Sequence, residues 1–197
     1  MKKNIIIFGT GRAGKTTLAK KINEELNYSV IGTDDIITVF ERSFPQLGIS
    51  RSNDIEEINA NLMPFLAHFL GTLSYRSCCH NGTKYVIEGS GSHFDFEKML
   101  PILEMYDEWK DNHLLIGLIY PNQTPTELFN DIREYDVEDD WTYNLSDDEL
   151  RSHVISGIEY SRNFLDNFKK YAPVTYDVSK NRKQVLDKIV NDIKTKY

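Results

Sequence analysis

Short continuous apolar runs alternate along this chain with longer stretches whose apolar positions recur every three or four residues. Ile5 to Phe8 is the first run and ends in glycine. It reads as a strand buried on both faces, and Gly14 to Leu26 behind it has helical spacing. Equivalent β-rich runs stand at Ser29 to Ile31, Lys84 to Ile87, Leu114 to Ile119 and Val174 to Val178. Strands alternating with helices predict a parallel sheet of five strands. Crossovers between parallel strands are right-handed and carry helices to both faces, so the expected fold is a three-layer α/β/α sandwich.

The helical segments carry their own punctuation. Ser52 to Asp54 offers caps for an apolar-periodic stretch from Ile55 to about Tyr75, which Asn81-Gly82 closes and Pro64 is expected to kink or divide. Within it Leu62, Phe65, Leu66, Phe69 and Leu73 form a core stripe. Further helices are expected over Phe96 to Trp109, from near Thr126, from Asp147 to about Tyr171, and from Arg182 to Thr195. No repeat, linker or low-complexity tract interrupts them, so residues 1–197 read as one domain.

Composition narrows the function. Twenty-three basic against 30 acidic residues leave a net charge of −7, which disfavours nucleic acid and anionic membrane surfaces as partners. Cys78 and Cys79 are adjacent and cannot form a disulfide framework, and no apolar stretch approaches a membrane span. The opening apolar run stops at Gly9, too early for a secretion signal, so a reducing cytoplasm is the expected location. Any phosphorylated ligand must then meet locally concentrated positive charge.

Gly9-Thr10-Gly11-Arg12-Ala13-Gly14-Lys15-Thr16 supplies that site. It matches G-x-x-x-x-G-K-[ST] and lies between a strand and a helix, the context that gives the motif its meaning. Glycines let successive backbone N–H groups turn toward one anion, and the helix start adds its dipole. Lys15 reaches the β and γ phosphates and Thr16 offers an oxygen to Mg²⁺. With Thr17, these residues form the expected nucleotide triphosphate site. Arg12 either touches phosphate or is a solvated loop arginine.

Ligands of open parallel sheets bind beyond the carboxyl ends of the strands, and those ends carry acids here. Asp34 and Asp35 follow the second strand; Glu88 ends the third, with Gly89-Ser90-Gly91-Ser92-His93 behind it. In phosphoryl transfer one carboxylate orients an acceptor hydroxyl and takes its proton, while another holds Mg²⁺. Asp34 is the candidate for the first role, with Asp35 an alternative or a helix N-cap. Glu88 needs a cation or a donor, and Mg²⁺ or a local backbone amide would satisfy it. His93 is either a substrate contact or a solvated loop histidine.

Together these residues resemble the small P-loop kinases related to adenylate and shikimate kinase, along nearly the whole chain. The resemblance rests on the phosphate loop, the Thr33-Asp34-Asp35-Ile36 turn and the Val86-Ile87-Glu88-Gly89 strand end. Tyr176-Asp177-Val178-Ser179 also looks like the loop that packs near adenine. It implies sheet order 2-3-1-4-5, a helical lid over about residues 125–165, and Mg²⁺ and ATP as cofactors. It also implies that Arg133 contacts the transferring phosphate, with Arg151 and Arg162 further candidates for that charge. Where nucleoside monophosphate kinases carry arginines that grip an acceptor phosphate, this chain has Thr38 and Gly91 or Ser92. That points to a small-molecule acceptor with a plain hydroxyl.

Two other functions share parts of this pattern. A nucleotide-dependent switch would recognise guanine through Asn-Lys-x-Asp after the fourth strand, where this chain has Tyr120-Pro121-Asn122-Gln123-Thr124. A nucleoside, nucleotide or polynucleotide-end kinase keeps the chemistry, the last needing a basic track. From Asp131 to Glu149 stand nine acids and one base, Arg133, read either as a solvated loop or, with Trp141 and Tyr143, as a receptor for a cationic acceptor. The sequence carries no signal of oligomeric state.

Overall fold

The computed structural model describes residues 3–79, 83–107, 109–171 and 173–197, without the side chains of 75–79 and 169. The Asn81-Gly82 turn and the thiols of Cys78 and Cys79 therefore lie outside the described residues. The elements are β1 (Asn4–Gly9), α1 (Lys15–Leu26), β2 (Ser29–Gly32), α2 (Thr33–Ser43) and α3 (Ile55–Cys79). They continue with β3 (Tyr85–Glu88), α4 (Phe96–Leu103), α5 (Trp109–Asn112), β4 (His113–Ile119), α6 (Pro125–Tyr135), α7 (Asp147–Phe168), β5 (Val174–Asp177) and α8 (Arg182–Lys196).

The five strands form one sheet of order β2-β3-β1-β4-β5, parallel throughout. The three-layer architecture and the strand order are as expected. Every residue of β1 is buried, because the strand is central and covered on both faces. Ile5 and Ile7 face one core with Leu18 and Ile22 of α1 and Leu186 and Ile189 of α8. Ile6 and Phe8 face the other, with Leu62, Met63 and Leu66 of α3. There the Phe8 ring meets Phe94, Phe96, Phe164 and Phe168 at centroid distances of 5.0–5.8 Å. That aromatic cluster ties α7 to the strand that carries the phosphate loop. Among the described residues no helix is long and apolar enough to cross a membrane.

Two helices differ from the sequence reading. Pro64 does not divide α3, which runs as one helix past it. Pro64 removes one backbone N–H, but its fully buried neighbours Leu62, Met63, Leu66 and Ala67 hold the helix in register. Conversely, the helix expected over Phe96 to Trp109 breaks at Leu103 into α4 and α5. Between them, tight turns (Met105 N to Ile102 O, 3.1 Å; Tyr106 N to Leu103 O, 3.0 Å) swing Tyr106 onto α3. Its hydroxyl meets His68 Nδ1 at 3.1 Å and its ring covers Gly71.

A Cβ at Gly71 would stand 2.2 Å from that ring. Overpacking of this severity costs about 3 kcal/mol, more than the roughly 1 kcal/mol alanine gains over glycine in a helix. Gly71→Ala should therefore lower the denaturation midpoint, measured by chemical unfolding. An unchanged midpoint would mean that Tyr106 does not fix the α4–α5 break.

Candidate active site

The phosphate loop begins where β1 outruns its room for a side chain. Gly9 has φ +137°, and a Cβ there would lie 2.1 Å from the Leu118 carbonyl oxygen of β4. Thr10 N donates to that same carbonyl at 3.2 Å, and Arg12 and Gly14 both take positive φ before α1 starts at Lys15. Such reversals of backbone handedness aim successive N–H groups into one concavity. Ala13 is buried in the core beneath the loop, while Thr16 and Thr17 are exposed on the first turn of α1.

Lys15 is buried, and its ammonium donates to the Thr10 carbonyl across the loop at 2.6 Å. Burial lowers its pKa to about 8, against the opposing pull of Glu88 and Asp34. Thr16 Oγ1 donates to Glu88 Oε1 at 3.0 Å. Burial at the end of β3 raises the Glu88 pKa, only partly offset by Thr16 and Lys15. Thr16 and Glu88 are thus in contact, with Lys15 and Asp34 near enough for their charges to bear on one another.

Asp34 and Asp35 lie in the first turn of α2, exposed, and neither caps it; Gly32 holds the N-cap position. The N-cap reading of Asp35 is corrected, because the helix begins at Thr33, before both acids. Asp35 folds back over Gly32. His93 is not a solvated loop residue either: its Nδ1 and Thr33 Oγ1 share a 2.9 Å hydrogen bond, and burial depresses its pKa.

The expected arginines all meet partners within the chain. Arg133 donates to the Leu145 carbonyl (2.7 Å), the Thr142 carbonyl (3.3 Å) and the Asp147 carboxylate (2.9 Å), and stands 3.7 Å from Asp136. Arg151 lies over the Phe129 ring at 4.2 Å, and Arg162 donates to the Pro121 carbonyl at 3.2 Å. Arg12 instead reaches the α6–α7 connection, pairing with Asp136 at 3.0 Å and Asp140 at 2.7 Å. Its hydrogen bond holds the Asp140 carboxyl below the usual carboxylate range. The acidic run divides: the Asp136 side chain is only 3% exposed, while Glu134, Glu138, Asp139, Asp147, Asp148 and Glu149 face solvent. Trp141 of the same connection packs over Gly11. Between the loop, Ser90 and Ser92, and α7 lies a cavity of about 420 Å³.

No family model and no curated protein matches the chain. Among solved structures, shikimate kinase from Bacteroides thetaiotaomicron matches with a TM-score of 0.56 and 19% identity, over 98% of this chain and 96% of that one. Shikimate kinase from Acinetobacter baumannii in complex with shikimate gives 0.57 and 15%, over 99% and 94%. A gluconokinase from Sinorhizobium meliloti 1021 gives 0.56 and 14%, over 98% and 91%. The chain has the fold of small P-loop kinases. At these identities the likeness carries the architecture and no residue roles.

One charged neighbour of Asp34 is absent from the sequence reading. Arg51, from the segment before α3, donates to the Asp34 carbonyl (2.7 Å) and Thr38 Oγ1 (2.9 Å) and pairs with Glu41 (2.9 Å). A guanidinium thus stands beside Thr38, where the resemblance had found none. No local pattern marks it, since the loop that delivers it has neither helical nor strand periodicity.

The depressed Lys15 pKa is directly measurable. Its folded value is lowered, so the unfolded chain binds that proton more tightly, and the stability contributed by Lys15 rises as pH goes from about 8 toward 10.5. NMR of the lysine Cε carbons should show one midpoint near pH 8, missing in Lys15→Met. A Lys15 midpoint above pH 10 would contradict the desolvated environment.

Proposed function

We propose that this protein is an ATP- and Mg²⁺-dependent kinase that phosphorylates a hydroxyl of a small molecule. The observation that carries the reading is the convergence of Lys15, Thr16, Glu88 and Asp34 at the carboxyl ends of β1, β3 and β2. The similar structures named above are small-molecule kinases, which supports the same reaction class.

Lys15 exchanges the Thr10 carbonyl for phosphate oxygens, and the anion restores the proton affinity that burial removes. Among the described residues no group of three or more metal-ligating side chains stands ready. Thr16 and Glu88 nonetheless fit Mg²⁺, which takes one or two protein oxygens and completes its shell with phosphates and water. The raised Glu88 pKa is that of a buried carboxyl short of a cation. When bound, the ion neutralises charge on the β and γ phosphates. Asp34 orients the acceptor hydroxyl and takes its proton as the oxygen bonds to the γ phosphorus. The bond from that phosphorus to the bridging oxygen breaks, and ADP leaves.

Titration calorimetry with Mg-ATP, and ADP release in the presence of an acceptor pool, test the reading. Lys15→Ala should abolish acceptor-stimulated turnover. Asp34→Asn should keep nucleotide binding and lose about 10²- to 10⁴-fold in turnover, the range of general-base contributions. Full turnover in Asp34→Asn would remove that aspartate from the mechanism. Lack of Mg-ATP binding would remove the proposal. In the same calorimetry at pH 9, binding should take up a proton, visible as a dependence of the heat on buffer ionisation enthalpy.

A further inference from the structure

The cavity beside the phosphate loop has a wall the mechanism does not use. Tyr160 on α7 lines it, and the Tyr160 hydroxyl is buried with no hydrogen-bond partner among the described residues. The hydroxyl sits against the Cα of Gly91, so closely that a Cβ there would fall 1.8 Å from it. A buried hydroxyl without a partner is costly in a folded protein. The ring is held by Phe164, 6.1 Å away between centroids, so the hydroxyl is presented by a fixed frame. Burial pushes the phenol pKa up, and the group is a neutral donor at every physiological pH.

The cavity is also electrostatically quiet. No carboxylate lines it, and the one guanidinium that does, Arg12, already pairs with both Asp136 and Asp140. Arg51, the other guanidinium near Asp34, is bound to Glu41. His153, the remaining ionisable ring of the wall apart from the tyrosines, packs edge-on against Trp141. Among the described residues that line it, an anionic acceptor would meet only a guanidinium already paired, and a cationic one no carboxylate. Uncharged groups remain: the hydroxyls of Ser90, Ser92, Ser156 and Tyr160, and the Trp141 ring. A volume of about 420 Å³ fits a small-metabolite site. Ser90 and Ser92 belong to the same turn as Glu88 and His93, so the cavity adjoins the group assigned to catalysis.

We infer that this cavity is the acceptor subsite, that it takes a neutral, hydroxyl-bearing small molecule, and that Tyr160 is a specificity-determining residue that donates its hydroxyl proton in a hydrogen bond to an acceptor oxygen. The inference rests on the kinase reading and deepens it. It also replaces the idea that the lid acids receive a cationic acceptor.

The test uses the full chain with Mg-ATP and three sets of probes. The neutral set is glycerol, myo-inositol, sorbitol and glucose; the anionic set is shikimate and gluconate; the cationic set is glucosamine and ethanolamine. ADP release should be stimulated by a neutral probe and not by the charged ones. Tyr160→Phe, which keeps the ring, should raise the KM of that probe about three- to tenfold, the range of one neutral hydrogen bond. The KM for Mg-ATP should not change, and the melting temperature should stay level or rise because no internal bond is lost. Stimulation confined to charged probes overturns the inference and leaves the kinase standing. An unchanged acceptor KM in Tyr160→Phe overturns the role of Tyr160. No stimulation by any set, with Mg-ATP bound, counts against the kinase reading itself.

Discussion

The site depends on one steric constraint, the contact of Gly9 with the Leu118 carbonyl. β1 is sandwiched between two cores and locked to β3 and β4, so its end cannot move aside. The backbone has to turn away from β4 with no Cβ in the way, and it turns with positive φ. From that turn follow the concavity of the loop, the start of α1 at Lys15, and the burial of the Lys15 ammonium against the loop's own carbonyl. A rigid apolar strand is what allows a polar, desolvated group to be held without collapse.

Charge is arranged around this frame by pairing. The body carries a net −7, yet most acids near the site already face a partner: Asp136 and Asp140 face Arg12, Asp147 faces Arg133, and Glu41 faces Arg51. Glu88 has a hydroxyl and a lysine beside it but no ion-pair contact among the described residues. That difference is what the proposed mechanism uses in giving Glu88 the metal. The same distinction among hydroxyls sets Tyr160 apart from Thr10 and Ser161, which satisfy each other at 2.6 Å.

What could be read along the chain was what local pattern determines. The five strands lie within about a residue of their expected bounds because buried apolar runs between polar breaks admit few other readings. The phosphate loop is local too, and the Asp34 and Glu88 positions follow from it once the sheet is parallel. That α3 continues past Pro64 was not legible because a proline's effect on a helix depends on how firmly its neighbours are buried, and the α4–α5 break was not because Tyr106 packs onto Gly71 of another helix. Arg133, Arg12 and Arg51 fall in the same class. A long flexible side chain chooses among carbonyls and carboxylates that only the tertiary fold brings near, so position along a helix does not reveal its partner.

The Arg12 bridge ties the α6–α7 connection to the phosphate loop. A guanidinium in the phosphate cradle that is pinned by two carboxylates of the α6–α7 connection has one set of donors and two claimants. Any anion that draws those donors away loosens the connection, and anything that tightens the connection weakens the anion by the same factor, because coupling between two sites is reciprocal. The same connection carries Trp141, which lines the cavity, and salt screens the ion pairs that join it to the loop.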